Sequence, residues 1–97
     1  MPKLLVTLRT DKESQTRWLA ARAISEIGAE KDAVPVLIEA LVDSDVNVQF
    51  YCAITLGNIG PDAHSATPKL TELLKNADGN VRKHSEEALK KIQLVDR

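Results

Sequence analysis

One cysteine, three aromatic residues and no lysine or arginine between positions 35 and 67 set the first limits on this 97-residue chain. A solitary Cys52 permits neither an intramolecular disulfide nor a cysteine-based metal cluster. With a single Trp, Phe and Tyr, the interior must be filled by small and branched aliphatic side chains, as it is where helices approach closely. No stretch reaches the roughly 20 apolar residues of a membrane span. The opening, Met1 to Arg9, is too short and too soon charged for a secretory signal, so the expected location is cytoplasmic. No glycine-rich phosphate loop stands out, and no nucleophile, base and acid can be grouped into a set. His84 and Glu87 share a helical face at i, i+3, but two weak ligands are too few for a metal site. His64 sits in the loop from Pro61 to Ser65 and reads as a solvated side chain. The chain is therefore expected to be no enzyme and to carry no cofactor.

What is present is a repeat. Pro2, Pro35 and Pro68 stand 33 residues apart. Each opens a similar apolar phrase: Leu4, Leu37 and Leu70, then Leu5, Ile38 and Thr71, then Leu8, Leu41 and Leu74. A second set of columns follows: Thr16, Val48 and Val81; Arg17, Gln49 and Arg82; Ala20, Cys52 and Ser85; Ile24, Leu56 and Leu89; Ile27, Ile59 and Ile92. Unit one carries one extra residue around Asp11 to Ser14 and one fewer between Gly28 and Pro35, so the length changes fall in connections. A period of this length means stacked helical units, each unable to bury its apolar face alone. Such a chain is a surface for holding something before it is a catalyst.

The words inside the repeat are not those of ankyrin or tetratricopeptide units. The phrases running from Val34 to Val48 and from Ala53 to Ala63 resemble the HEAT-like repeat family, in the short-unit form first recognised in phycobilin lyases. Pro68 to Leu74, Asp78 to Arg82 and Glu87 to Ile92 repeat them. The resemblance implies an all-α protein, a right-handed α-solenoid (α-α superhelix) of three HEAT-like helix pairs. Residues 1–97 would form one domain, with units at about 2–34, 35–67 and 68–97. It implies a non-catalytic protein-protein interaction scaffold binding through the concave face of the second helices. The alternative it implies is an accessory or subunit of a bilin lyase or lyase-isomerase. Those proteins are longer, and covalent handling of a bilin calls for an accessible thiol, whereas Cys52 occupies a small-residue column between Ala20 and Ser85.

Helices are expected near 3–9, 35–42 and 68–75 for the first of each pair, and near 15–27, 47–59 and 80–93 for the second. Asp45 and Asp78 are placed to cap second helices, and Gly28 and Gly60 to end them. At about 100° per residue, Val48, Cys52, Thr55, Leu56 and Ile59 form one apolar face, with Phe50 and Ile54 nearly opposite. Unit one places Trp18 and Arg22 in those two slots, which the family usually fills with polar residues. Trp18 and Phe50 are expected side by side, with Tyr51 in the next column and Arg22 and Asn58 as a polar rim. Two readings are open: Trp18 and Phe50 pack on each other across the groove or against the first helices, or with Ile54 they form a contiguous apolar patch of the kind that marks interaction sites. The expected partner is a protein, or a second copy in a homo-oligomer.

Charge argues against nucleic acid. Glu39, Asp43, Asp45 and Asp62 make the middle unit wholly acidic, between two mildly basic ends, for a net charge of −1. A continuous basic stripe along the stack, which phosphate binding needs, is interrupted there. At the far end, Glu86 stands where Ala21 and Ala53 stand in the first two units, the mark of a polar C-terminal cap.

Overall fold

The structure, a computed structural model, describes residues 2–93; Met1 and Leu94 to Arg97, the close of the expected third unit, lie outside the described residues. Six α-helices follow in order: α1 (Pro2–Thr10), α2 (Ser14–Ile27), α3 (Val34–Ala40), α4 (Val46–Ile59), α5 (Thr67–Leu73) and α6 (Gly79–Gln93). Two 3-10 turns, Lys31–Ala33 and Gly60–Ala66, link the units. The result is an α-solenoid of three helix pairs, with no strand among the described residues.

Local chemistry sets the boundaries. Pro35 and Pro68 fall in the first turns of α3 and α5, where a missing N–H costs nothing. Asp45 accepts the Asn47 N–H at 2.8 Å and Asp78 that of Val81 at 3.0 Å, each satisfying an orphan donor. Glu13 holds the same place before α2 but makes no side-chain cap. Gly28 and Gly60 adopt φ of 95° and 81°, which L side chains resist, and the Gly28 N–H returns to the Ile24 carbonyl at 2.8 Å. The first helices of units two and three stop earlier than expected, at Ala40 and Leu73. Leu41 shares its N–H between the Leu37 and Ile38 carbonyls, and Asp43 and Asn76 donate back to Ala40 and Leu73, so each last turn tightens.

The second helices stand in a row, with α4 between α2 and α6, and the first helices cover them. The core runs through Ile24, Leu37, Leu41, Val48, Leu56, Leu70, Val81 and Ile92. Ala20, Cys52 and Ser85 are all buried, as their shared column predicts. Burial pushes the Cys52 thiol pKa up, and the negative charge of Asp43 pushes it further. The tightest approach is at Gly57, where an added Cβ would lie 2.9 Å from the Ala88 Cα. Ala21 and Ala53 are buried against the following unit, while Glu86 is exposed. Leu74 departs from its column for the same reason. Leu8 and Leu41 are buried, but Leu74 is 37% exposed because no described unit follows it.

A polar seam binds the connections together. Asp11, Asp43 and Asn76 each accept, on a side-chain oxygen, the N–H two residues on, at 2.9, 2.9 and 2.8 Å. Their own carbonyls accept from the side chains of Arg17, Gln49 and Arg82 at 2.9, 2.6 and 2.7 Å. Between units one and two, the Arg17 guanidinium forks onto the Asp43 carboxylate at 2.8 and 3.1 Å. That hydrogen-bonded carboxylate raises the Arg17 pKa above its ordinary value. Between units two and three the contact is neutral, with the Asn76 amide donating to Gln49 Oε1 at 3.3 Å.

Candidate protein-binding face

The aromatic residues form a row along the second helices, shifted by one position from the expected pairing. Trp18 stacks on Tyr51, not on Phe50, with ring centroids 6.2 Å apart and planes 8° apart. Phe50 in turn stacks on His84 at 5.5 Å and 21°, and touches Tyr51 at 4.4 Å. Tyr51 and His84 belong to the column that turns back toward the preceding unit, so each meets the ring one slot earlier on its neighbour. The row therefore reads Trp18, Tyr51, Phe50, His84 across all three units. Trp18, Phe50 and Tyr51 are half-buried and pack on the hydrophobic core. They are anchored in the stack and do not stand free of it.

Polar groups sit beside this row. A cleft of about 190 Å³ is lined by Ile54, Gly57, Asn58, His84, Glu87 and Lys91 among others. Lys91 donates to Asn58 Oδ1 at 3.0 Å, and His84 Nδ1 lies 3.4 Å from Glu87. Arg22, one slot from Trp18, is exposed and pairs with Glu26 at 3.2 Å. The structure thus brings Ile54 and Asn58 together in one cleft, with Phe50 stacked on its His84 wall. It adds His84, Glu87 and Lys91, none of which was among the expected site residues, although Glu87 shares the slot of Arg22 and Ile54. The signal was available in the repeat columns, since His84 aligns with Tyr51 and Glu87 with Ile54. Among the described residues no group of three or more His, Cys, Asp or Glu could hold a metal ion, and no helix is long and apolar enough to cross a membrane.

A family model for HEAT repeats matches residues 1–90. The chain belongs to the HEAT repeat family. HEAT repeats are generally protein-interaction scaffolds and typically lack enzymatic activity. A search of curated proteins finds no match. Among solved structures, this HEAT stack is similar to the crystal structure of an engineered protein, a Northeast Structural Genomics Consortium target, at TM-score 0.77 and 29% identity. The match covers 93% of this chain and 44% of that one, so the chain spans less than half the engineered protein's length.

Proposed function

We propose that this HEAT stack is a non-catalytic interaction module that takes a protein partner along its second helices. The observation that carries the reading is the aromatic row from Trp18 to His84, continuous across three units and bordered by a small polar cleft. Rings half-buried in a rigid stack lose little conformational freedom when a partner covers the rest of their surface, which is what makes aromatic anchors effective. Arg22, Asn58 and Lys91 supply a rim able to fix orientation by hydrogen bonds. Residues 2–34, 35–67 and 68–97 act together as one domain, because the row exists only when the units are stacked. A bilin-handling role is not favoured, since the one thiol is buried and its pKa is pushed up.

The test uses two photo-crosslinking variants of the full chain, one with the probe at Ile54 on this face and one at Glu39 on the first-helix side. The same protein captured from Ile54, absent from Glu39 and lost on adding Trp18→Ala in a chain that still melts cooperatively, supports the reading. Equal capture from both faces would remove it.

A further inference from the structure

The charges beside the aromatic row do not balance. Each second helix gives this face the same three slots: Trp18, Arg22 and Glu26 on α2, Phe50, Ile54 and Asn58 on α4, and Lys83, Glu87 and Lys91 on α6. Helix α4 carries no charged side chain. On α2 the charges cancel, since Arg22 and Glu26 pair with each other at 3.2 Å. On α6 two lysines stand against one carboxylate. The face therefore has a surplus cation, in a chain whose net charge is −1.

That surplus is held in place at Lys91. Glu87 stands four residues before Lys91, the spacing and order that favour an ion pair along one helix. The two nevertheless do not pair. Glu87 lies against His84 Nδ1 at 3.4 Å, and Lys91 reaches across to Asn58 Oδ1 at 3.0 Å. The Lys91 stem runs over Gly57, where an added Cβ would lie 3.5 Å from its Cδ. The ammonium is thus positioned between two helices by a neutral amide, with N–H donors to spare. The Asn58 amide nitrogen makes no hydrogen bond among the described residues. Both groups line the cleft of about 190 Å³, beside the apolar Ile54. A small-molecule site is larger, at roughly 300–1,000 Å³, so this cleft suits one side chain of a larger partner.

We propose that the cleft takes a single carboxylate side chain, Asp or Glu, from a peptide segment of the partner whose neighbouring apolar side chains cover Phe50 and Trp18. The carboxylate accepts from the Lys91 ammonium and the Asn58 amide. Glu87, on the same cleft, repels a second acid, so the face selects one acidic position among apolar ones and not an acidic run. This deepens the reading of the face as a protein-binding surface and rests on it.

The probe is a display library of random linear peptides selected on the full chain. Enriched peptides are expected to share an Asp or Glu beside apolar residues. The strongest is then remade with that acid replaced by its amide. Lys91→Met keeps the stem over Gly57 and removes the charge. It is expected to weaken the acidic peptide about tenfold or more, the worth of a hydrogen bond to a charged group, and to leave the amide peptide unchanged. Lys90→Met, outside the cleft, should bind the acidic peptide as wild type does. Both variants should melt with wild type, because both lysines are exposed. Enrichment without an acid, or equal losses for the acidic and amide peptides on Lys91→Met, would overturn the carboxylate site and leave the row as a binding face. Binding that survives Trp18→Ala in a chain that still melts cooperatively would remove the face and the site together, and a selection that yields no binder counts against both.

Discussion

Glycine to alanine inside a helix ordinarily stabilises, by about 0.8–1.0 kcal/mol of intrinsic propensity. At Gly57 the opposite sign is expected. An alanine Cβ there would sit 2.9 Å from the Ala88 Cα and 3.1 Å from its Cβ. The first of these is backbone, which no rotamer change can move aside, so α6 must shift away from α4 as a body. Such overpacking costs typically about 1–3 kcal/mol, and the shift also loosens the Phe50–His84 stack on the same pair of helices. Set against the propensity gain, the net loss is about 1 kcal/mol, or a fall in Tm of about 4–8 °C for a domain of this size. Thermal and urea melts of Gly57→Ala should be run beside Gly79→Ala. The Gly79 Cβ would meet only the tip of Arg82 at 3.5 Å, so that variant should melt at or slightly above wild type. A Gly57→Ala protein melting at or above wild type would show that the two helices part freely, and the close-contact reasoning would fail.

Cys52 should react slowly with a thiol reagent in the native state and fast in denaturant, since it is fully buried. Its folded pKa lies above its ordinary value of 9.0, so the unfolded chain loses the proton first. Stability should therefore be intact below about pH 9 and fall by about 1.4 kcal/mol per pH unit above it, a slope that Cys52→Ala should remove in pH-dependent melts. Arg17 and Asp43 have side chains only 15% and 11% exposed. Removing either charge singly should cost about 1.5–3 kcal/mol. The double variant Arg17→Gln/Asp43→Asn rebuilds the Gln49–Asn76 contact of the next junction and should cost less than the sum, as a double-mutant cycle by urea melts would read.

The fold was legible because a repeat states each position three times. The 33-residue period, the prolines at the first helices, the aspartate caps and the two terminating glycines all lie where the sequence places them. What escaped depends on relations between units. Nothing in the column of Trp18 and Phe50 shows that each ring meets the residue one slot further along its neighbour, because that offset arises from how adjacent helices sit. The seam at Asp11, Asp43 and Asn76 is hidden by mixed residue types and by the extra residue beside Asp11. Leu74 and Ile27 share columns with buried residues and are exposed, since burial in a stack depends on place in the row as well as on side-chain type. The aromatic character of the candidate face was readable, and the columns align His84 with Tyr51 and Glu87 with Ile54, whereas the cleft they line with Lys91 needed two helices in register.

The two junctions of the stack are not alike, and that gives the molecule a weak end. A linear array has a stability set by its units and by the contacts between neighbours. Helix α4 packs more extensively on α6 than on α2, and the Gly57–Ala88 contact locks the later junction by shape. The earlier one relies on an ion pair whose Asp43 keeps its turn hydrogen bond when the arginine leaves. The first helix pair is therefore expected to part from the other two before they part from each other, which amide hydrogen exchange of α2 against α6 would read. Parting there would bare a side of α4 that carries Val48 and Tyr51, an apolar stripe like the one that exposes Leu19 and Ile27 on α2.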